Sequence, residues 1–292
     1  MSVAEAGTRP APPSAPQTAD WPAAGPRRAR SVSTRLLRSE LSMVLRRRRN
    51  LVVLLVLAGI PVLIGTAVRL SSGPPQGGEG PPFLAQIAGN GVFVALTALT
   101  VVLPLFLPLA VAVVSGDAVA GEASLGTLRY LLVVKYAGVL AYCFAAALVV
   151  GTVGVLVGLA LFPAGPVTLL SGTQVSLASG LWRLLLVVLY VAASMAAVGA
   201  VGLFVSTLTE SPVAAMATTT VLAITSQVLD SVPQVEPVHP WLFSHYWLNF
   251  GDLLRDPIAT AGVLRGLLAA ACYIAVFGLL AWSRFGGKDV SS

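Results

Sequence analysis

Charge is what this sequence has least of. Asp, Glu, Lys and Arg make up 10% of its 292 residues, where a soluble globular domain carries about 25%. Cysteine is nearly absent too. Cys143 and Cys272 both fall inside apolar runs, where a thiol behaves as a small hydrophobe. That leaves no disulfide framework and no thiolate metal spacing. No GxxxxGK[ST] phosphate loop occurs, so ATP binding through that motif is excluded. The interiors of the apolar runs hold essentially no Asp, Glu, Lys, Arg or His; Asp230 comes closest, at the end of one. Ion-coupled transporters and proton pumps need ionisable groups on their path, and intramembrane enzymes need a nucleophile, an acid–base pair or metal ligands. No catalytic residue is assigned.

What fills the chain is hydrophobic sequence, 56% of all residues. This composition implies an all-α membrane protein of six transmembrane helices preceded by an interfacial amphipathic helix. The spans lie near 51–70, 90–114, 136–161, 184–206, 213–230 and 262–282, each close to the ~20 residues that cross ~30 Å of hydrocarbon. Pro104 and Pro108 fall four apart in the second and are expected to kink it. Gly154 and Gly158 form a GxxxG pair, and the fourth span is rich in Ala, Gly and Ser. Small residues of this kind let helices pack closely in lipid.

Residues 1–32 read as a disordered cytoplasmic tail, and 286–292 as a short cytoplasmic tail at the other end. Between them, 33–285 form the transmembrane domain. Residues 33–49 place Leu36, Leu37, Leu41, Val44 and Leu45 on one helical face and Arg35, Arg38, Arg46 and Arg49 on the other. An Arg-faced amphipathic helix before a span lies in the membrane interface. The run Arg46–Arg49 is a cytoplasmic flank facing anionic lipid rather than nucleic acid. The first apolar run starts at Leu51, too far into the chain for a cleaved signal peptide.

Orientation follows from the basic residues. With both termini in the cytoplasm, 14 Lys/Arg face inward: ten before residue 50, plus Arg129, Lys135, Arg284 and Lys288. Four face outward: Arg69, Arg183, Arg255 and Arg265. The expected location is a bacterial plasma membrane.

The second span ends in "SGDAVAGEASLGTLRYLL", residues 115–132. Its glycines permit sharp turns and close contact. Asp117 and Glu122 are expected near a helix start, where carboxylates favour the dipole. A short polar helix here could dock a soluble protein; the plainer reading is a solvated loop. The stretch resembles the segment between spans two and three of permease subunits of ABC-2 type ATP-binding-cassette transporters. The matching positions are Asp117, Gly121, Glu122, Gly126, Thr127, Leu128, Arg129, Leu131 and Leu132. In layout the resemblance extends over 33–285. It implies a coupling helix from Asp117 to Arg129 that contacts a separate ATPase subunit. It implies a second permease chain, in a homodimer or heterodimer, and ATP with Mg on the partner rather than any cofactor on this chain. The implied function is export of a substrate, with this chain the non-enzymatic subunit.

The sequence departs from that pattern after Leu132, where the connection to the third span is short. Tyr130–Phe162 could then form one helix of about 50 Å. The departure keeps a second reading open, a non-transporting membrane scaffold or assembly factor. Glu210, in "STLTESPVAAMA" (206–217), is a possible secondary ATPase contact, or simply a helix-start carboxylate. Residues 231–257 are rich in Pro and aromatics, suiting an interfacial cap at the external mouth. Glu236, His239 and His245 within it match no zinc spacing, and no metal site is assigned.

Overall fold

The computed structural model describes residues 41–71, 90–120 and 128–288. Residues 41–46 are helical, and a break at Arg47 precedes α1, Arg48–Ser71. Arg48 and Arg49 therefore open the first long helix instead of closing an interfacial one. Positions 33–40 of the expected amphipathic helix, the N-terminal tail and the 72–89 loop lie outside the described residues. Next come α2 (Val92–Val102), α3 (Phe106–Gly116) and α4 (Leu128–Leu161). A two-residue hairpin, β1 (Val167–Thr168) with β2 (Gln174–Val175), is the one sheet among the described residues. Gly172 takes a φ of 83° in its turn, a conformation closed to most side chains. The chain then runs through α5 (Leu177–Leu208), α6 (Pro212–Asp230), two 3₁₀ segments (Pro233–Trp241 and Trp247–Leu254) and α7 (Thr260–Lys288).

Five of these helices, α1, α4, α5, α6 and α7, are long and apolar enough to cross a membrane. Inside hydrocarbon every backbone polar group needs an internal partner, which selects helices for such runs. Their starts follow local chemistry. Ser176 Oγ accepts the Ser179 N–H at 3.3 Å, and Ser211 Oγ accepts the Ala214 N–H at 3.4 Å, with Pro212 at the first helical position. These are capping arrangements. The continuous third helix that the short connection after Leu132 left possible is present. α4 runs unbroken for 34 residues, about 50 Å.

Helices α2 and α3 form a pair bent by 59° around Leu103–Leu105. The cause is the expected proline pair. Pro108 has no N–H for the Pro104 carbonyl four residues back. Gln227 of α6 supplies the missing donor through its side-chain amide. A neighbouring helix thus satisfies the acceptor that the kink releases, as lipid surroundings require.

α5 lies at the centre. Of its most apolar 18-residue stretch, 78% is buried within the protein, against 11% for α7 and 22% for α1 and α6. It packs against α3, α4, α6 and α7, and its small residues allow this. A Cβ on Gly199 would lie 2.5 Å from Val139 of α4, and one on Gly202 would lie 2.1 Å from the Ser115 hydroxyl of α3. The GxxxG pair of α4 does the same for α2. A Cβ on Gly158 would meet the Gly91 carbonyl at 1.9 Å, and one on Gly154 would meet Ala95 at 2.5 Å. The peripheral helices expose large apolar side chains, among them Leu55, Leu63, Val213, Leu264 and Leu279. Exposure on that scale would be an aggregation liability in water and is unremarkable in lipid.

The bundle has two distinct ends. One gathers the start of α1, the end of α3, the end of α5, the start of α6 and Arg284 of α7, whose Nε donates to the Thr207 carbonyl at 3.3 Å. The other gathers the start of α2, the end of α4, the hairpin and the 3₁₀ segments. There the Asn90 amide donates to the Gly165 and Pro166 carbonyls, and Leu170 N–H donates to the Leu254 carbonyl.

Candidate functional site

The polar segment at 115–132 begins where α3 stops. Helix α3 ends at Gly116, and Asp117 is its C-terminal cap, followed by a turn over 117–120. The short helix expected to start near Asp117 and Glu122 falls on 121–127, outside the described residues. Asp117 sits at the negative end of α3, a position that costs about 0.3–1 kcal/mol. Two arginines offset this. Arg47 Nη1 donates to Asp117 Oδ2, and Arg49 Nη2 donates to the same oxygen at 3.0 Å. The Asp117 side chain is only 18% exposed, while Arg47 and Arg49 are 57% and 43% exposed. Such partly solvated pairs contribute about 0.2–1 kcal/mol each, enough to cancel the dipole penalty and little more. Two residues of the Arg46–Arg49 run thus have partners inside the protein. Nothing in its spacing from Asp117 could have shown this, because the partners are 70 residues apart.

The turn is tied more firmly on its other side. Ser206 of α5 is 1% exposed. Its hydroxyl accepts the Ala120 N–H at 3.0 Å and the Val119 N–H at 3.2 Å, and donates to the Gly116 carbonyl at 2.8 Å. One buried side chain therefore satisfies the last carbonyl of α3 and two free amides of the turn, which would otherwise be costly. Val119 packs with Leu132, Leu203 and Ala281 in a small apolar cluster joining the turn to α4, α5 and α7. A Cβ on Gly116 would meet the Met216 backbone nitrogen of α6 at 2.9 Å, so glycine is needed there for close approach. Sequence reasoning found Gly116 and missed Ser206, one hydroxyl among several in an apolar helix.

Of the expected docking residues, Asp117 is placed as described, and Leu128 and Arg129 fall in the first turn of α4. Gly121, Glu122, Gly126 and Thr127 lie outside the described residues. Glu210 is exposed in the turn between α5 and α6, just before the Ser211 cap. The fold brings it to the same end of the bundle as Asp117. A cavity of about 250 Å³ opens beside Asp117, lined also by Arg47, Arg49, Asn50 and Lys135.

At the opposite end the fold brings together Asp230, His239 and His245, whose ligand atoms all lie within 4.8 Å of one another. Glu236, which sequence proximity grouped with the histidines, is not part of this cluster; Asp230, at the end of α6, is. Towards that same end, Thr97 and Thr100 line an otherwise apolar groove of about 490 Å³ formed by α2, Leu170 of the hairpin loop and the second 3₁₀ segment.

No protein-family model matches the chain, and no curated protein matches it.

Proposed function

We propose that this chain is the membrane-spanning permease subunit of an ATP-binding-cassette exporter. Its energy comes from ATP and Mg on a separate ATPase subunit docked at residues 116–132, and the chain itself catalyses nothing. The bent pair α2–α3 counts as one span, giving six with both termini in the cytoplasm of a bacterial cell. A second permease chain completes the pathway.

The observation that carries this reading is the resemblance of "GDAVAGEASLGTLRYLL" (116–132) to the coupling segment of ABC-2 permeases. The geometry beside it is consistent. The turn after α3 is hydrogen-bonded through Ser206 to the central helix. A push on that turn would reach α5 directly, and α5 contacts α3, α4, α6 and α7. Glu210 stands at the same end, where a soluble partner could touch both turns. The groove with Thr97 and Thr100 suits an amphipathic cargo rather than a multiply charged one.

One observation favours the scaffold alternative. Since α4 begins at Leu128, only residues 121–127 separate it from the turn after α3, a short reach for a partner below the membrane. Both readings meet the same test. Co-expression with an ABC ATPase subunit that co-purifies with it, followed by reconstitution, should give ATP-dependent substrate movement. Glu122→Lys or Arg129→Glu should abolish that movement while ATP hydrolysis continues. Unchanged transport in both variants would remove the coupling role. Co-purification without any transport would select the scaffold.

A further inference from the structure

The chain has two histidines in 292 residues, and the fold places both against one carboxylate. Asp230 ends α6; His239 lies in the first 3₁₀ segment; His245 lies in the turn before the second. His245 Nδ1 is 2.6 Å from Asp230 Oδ1, and the two imidazole rings are 5.8 Å apart between centroids. All three residues are partly exposed, so an ion could enter from solvent. We infer that Asp230, His239 and His245 form a binding site for a divalent transition-metal ion of the zinc class, with at least one coordination position left open.

The donor set decides the class of ion. Two imidazoles and one carboxylate suit Zn²⁺ and its first-row neighbours. Ca²⁺ and Mg²⁺ prefer all-oxygen shells. Three protein ligands leave a fourth position of a tetrahedral ion free for water or another ligand. Ligand atoms around tetrahedral zinc are roughly 3.3–3.5 Å apart, given bonds of ~2.0–2.1 Å. The ligand atoms of the cluster, within 4.8 Å of one another, need to draw in by at most about 1.5 Å to reach that spacing.

Charge points the same way. A carboxylate at the end of α6 opposes the helix dipole, and the last turn of that helix carries no basic residue. Among the described residues Asp230 is paired with no Lys or Arg, its partner being His245, whereas Asp252 and Asp256 pair with Arg255 and Arg183.

The ligands are also held in place. Pro233, Pro237 and Pro240 stiffen the segment carrying His239, because each fixes its own φ and restricts the residue before it. Ser244, next to His245, shares a buried 2.7 Å hydrogen bond with Ser226 of α6, one turn before Asp230. The Trp241 carbonyl accepts from Tyr273 Oη of α7, and the Tyr246 carbonyl accepts from Tyr190 Oη of α5 at 2.6 Å. The site is thus clamped to three long helices, and the proposal is independent of whether the chain transports anything.

The test uses the full chain, purified in detergent without a polyhistidine tag and stripped with a chelator. Zn²⁺ is titrated against a chromophoric competitor, and Co²⁺ is followed by its visible absorption. The expected result is one ion per chain. His239→Ala, His245→Ala and Asp230→Asn should each weaken binding at least about tenfold, since losing even an outer partner of a metal ligand costs that much. Glu236→Gln should bind as the unmodified chain does. Binding that survives the double His239→Ala, His245→Ala change, or no binding above a detergent blank, overturns the proposal. If the variants do not fold, ¹⁵N-histidine labelling of the unmodified chain decides. Zn²⁺ must shift the ring resonances of both histidines, and a response from one or neither rejects the site.

Discussion

Replacing Ser206 by Ala removes the side chain that hydrogen-bonds the turn after α3 to the central helix. Three hydrogen bonds disappear, to Val119 N–H, Ala120 N–H and the Gly116 carbonyl. All sit around a side chain that is 1% exposed, so water does not simply replace them. A lost hydrogen bond costs about 0.5–1.5 kcal/mol net, and a buried group left unpaired about 1–3 kcal/mol. Some of the three will find water once the turn loosens, so the local loss is about 2–4 kcal/mol. The turn is the part that opens, because α5 keeps its own helical ladder. Since 1.4 kcal/mol is tenfold, amide exchange at Val119 and Ala120 should quicken by roughly 30- to 700-fold. Hydrogen–deuterium exchange on the detergent-solubilised chain reads this directly. Ser194→Ala is the control. That hydroxyl is also buried, yet it donates only to the Tyr190 carbonyl of its own helix at 3.0 Å. Its removal should leave exchange at 119–120 unchanged. If Ser206→Ala leaves those amides as protected as before, the turn is held by something else, and the mechanical link to α5 fails with it.

Asp117→Asn removes two partly solvated ion pairs and also the carboxylate's clash with the α3 dipole, so denaturant midpoints should move by less than about 1 kcal/mol in equivalent stability. Under the coupling reading the same variant should impair transport far more than stability. A fall in stability matching the loss of transport would contradict that role. Gly158→Ala should push α2 from α4 and cost about 1–3 kcal/mol, since its Cβ would meet the Gly91 carbonyl at 1.9 Å, whereas Gly59→Ala, with nothing within 4 Å, should be neutral or slightly stabilising by thermal shift. In a Cys272→Ser background, where the remaining Cys143 is buried, cysteines introduced one at a time at Glu122 and Glu210 should label with an impermeant thiol reagent from one side of the membrane, and a cysteine at Gly172 from the other. Labelling of 122 and 210 from opposite sides would break the proposed topology.

The proline pair shows how far sequence reasoning reached. Pro104 and Pro108 foretold a kink, because the lost N–H groups and the ring clash are properties of the residues themselves. That Gln227 would cover the freed carbonyl could not be foretold, since it lies 123 residues from Pro104. The small residues of α5 likewise announced close packing but not its partners. Asp117 was found from its setting among glycines, yet its place as the cap of α3 depended on where that helix stopped. At the other end Glu236 looked like the natural companion of the histidines because it is near them in the chain. The fold turned to Asp230, which is farther away in sequence and adjacent in space.

Composition by itself determined the class of molecule, its helices and where most of them lie. Runs of about twenty uncharged residues have no other way to satisfy their backbones in lipid. Only the tertiary structure decided which polar groups meet: Ser206 with the α3 turn, Arg47 and Arg49 with Asp117, and Asp230 with both histidines. Periodicity along one helix records which face is buried. It carries no information about which distant residue is waiting on the other side, because that is fixed by how the helices cross.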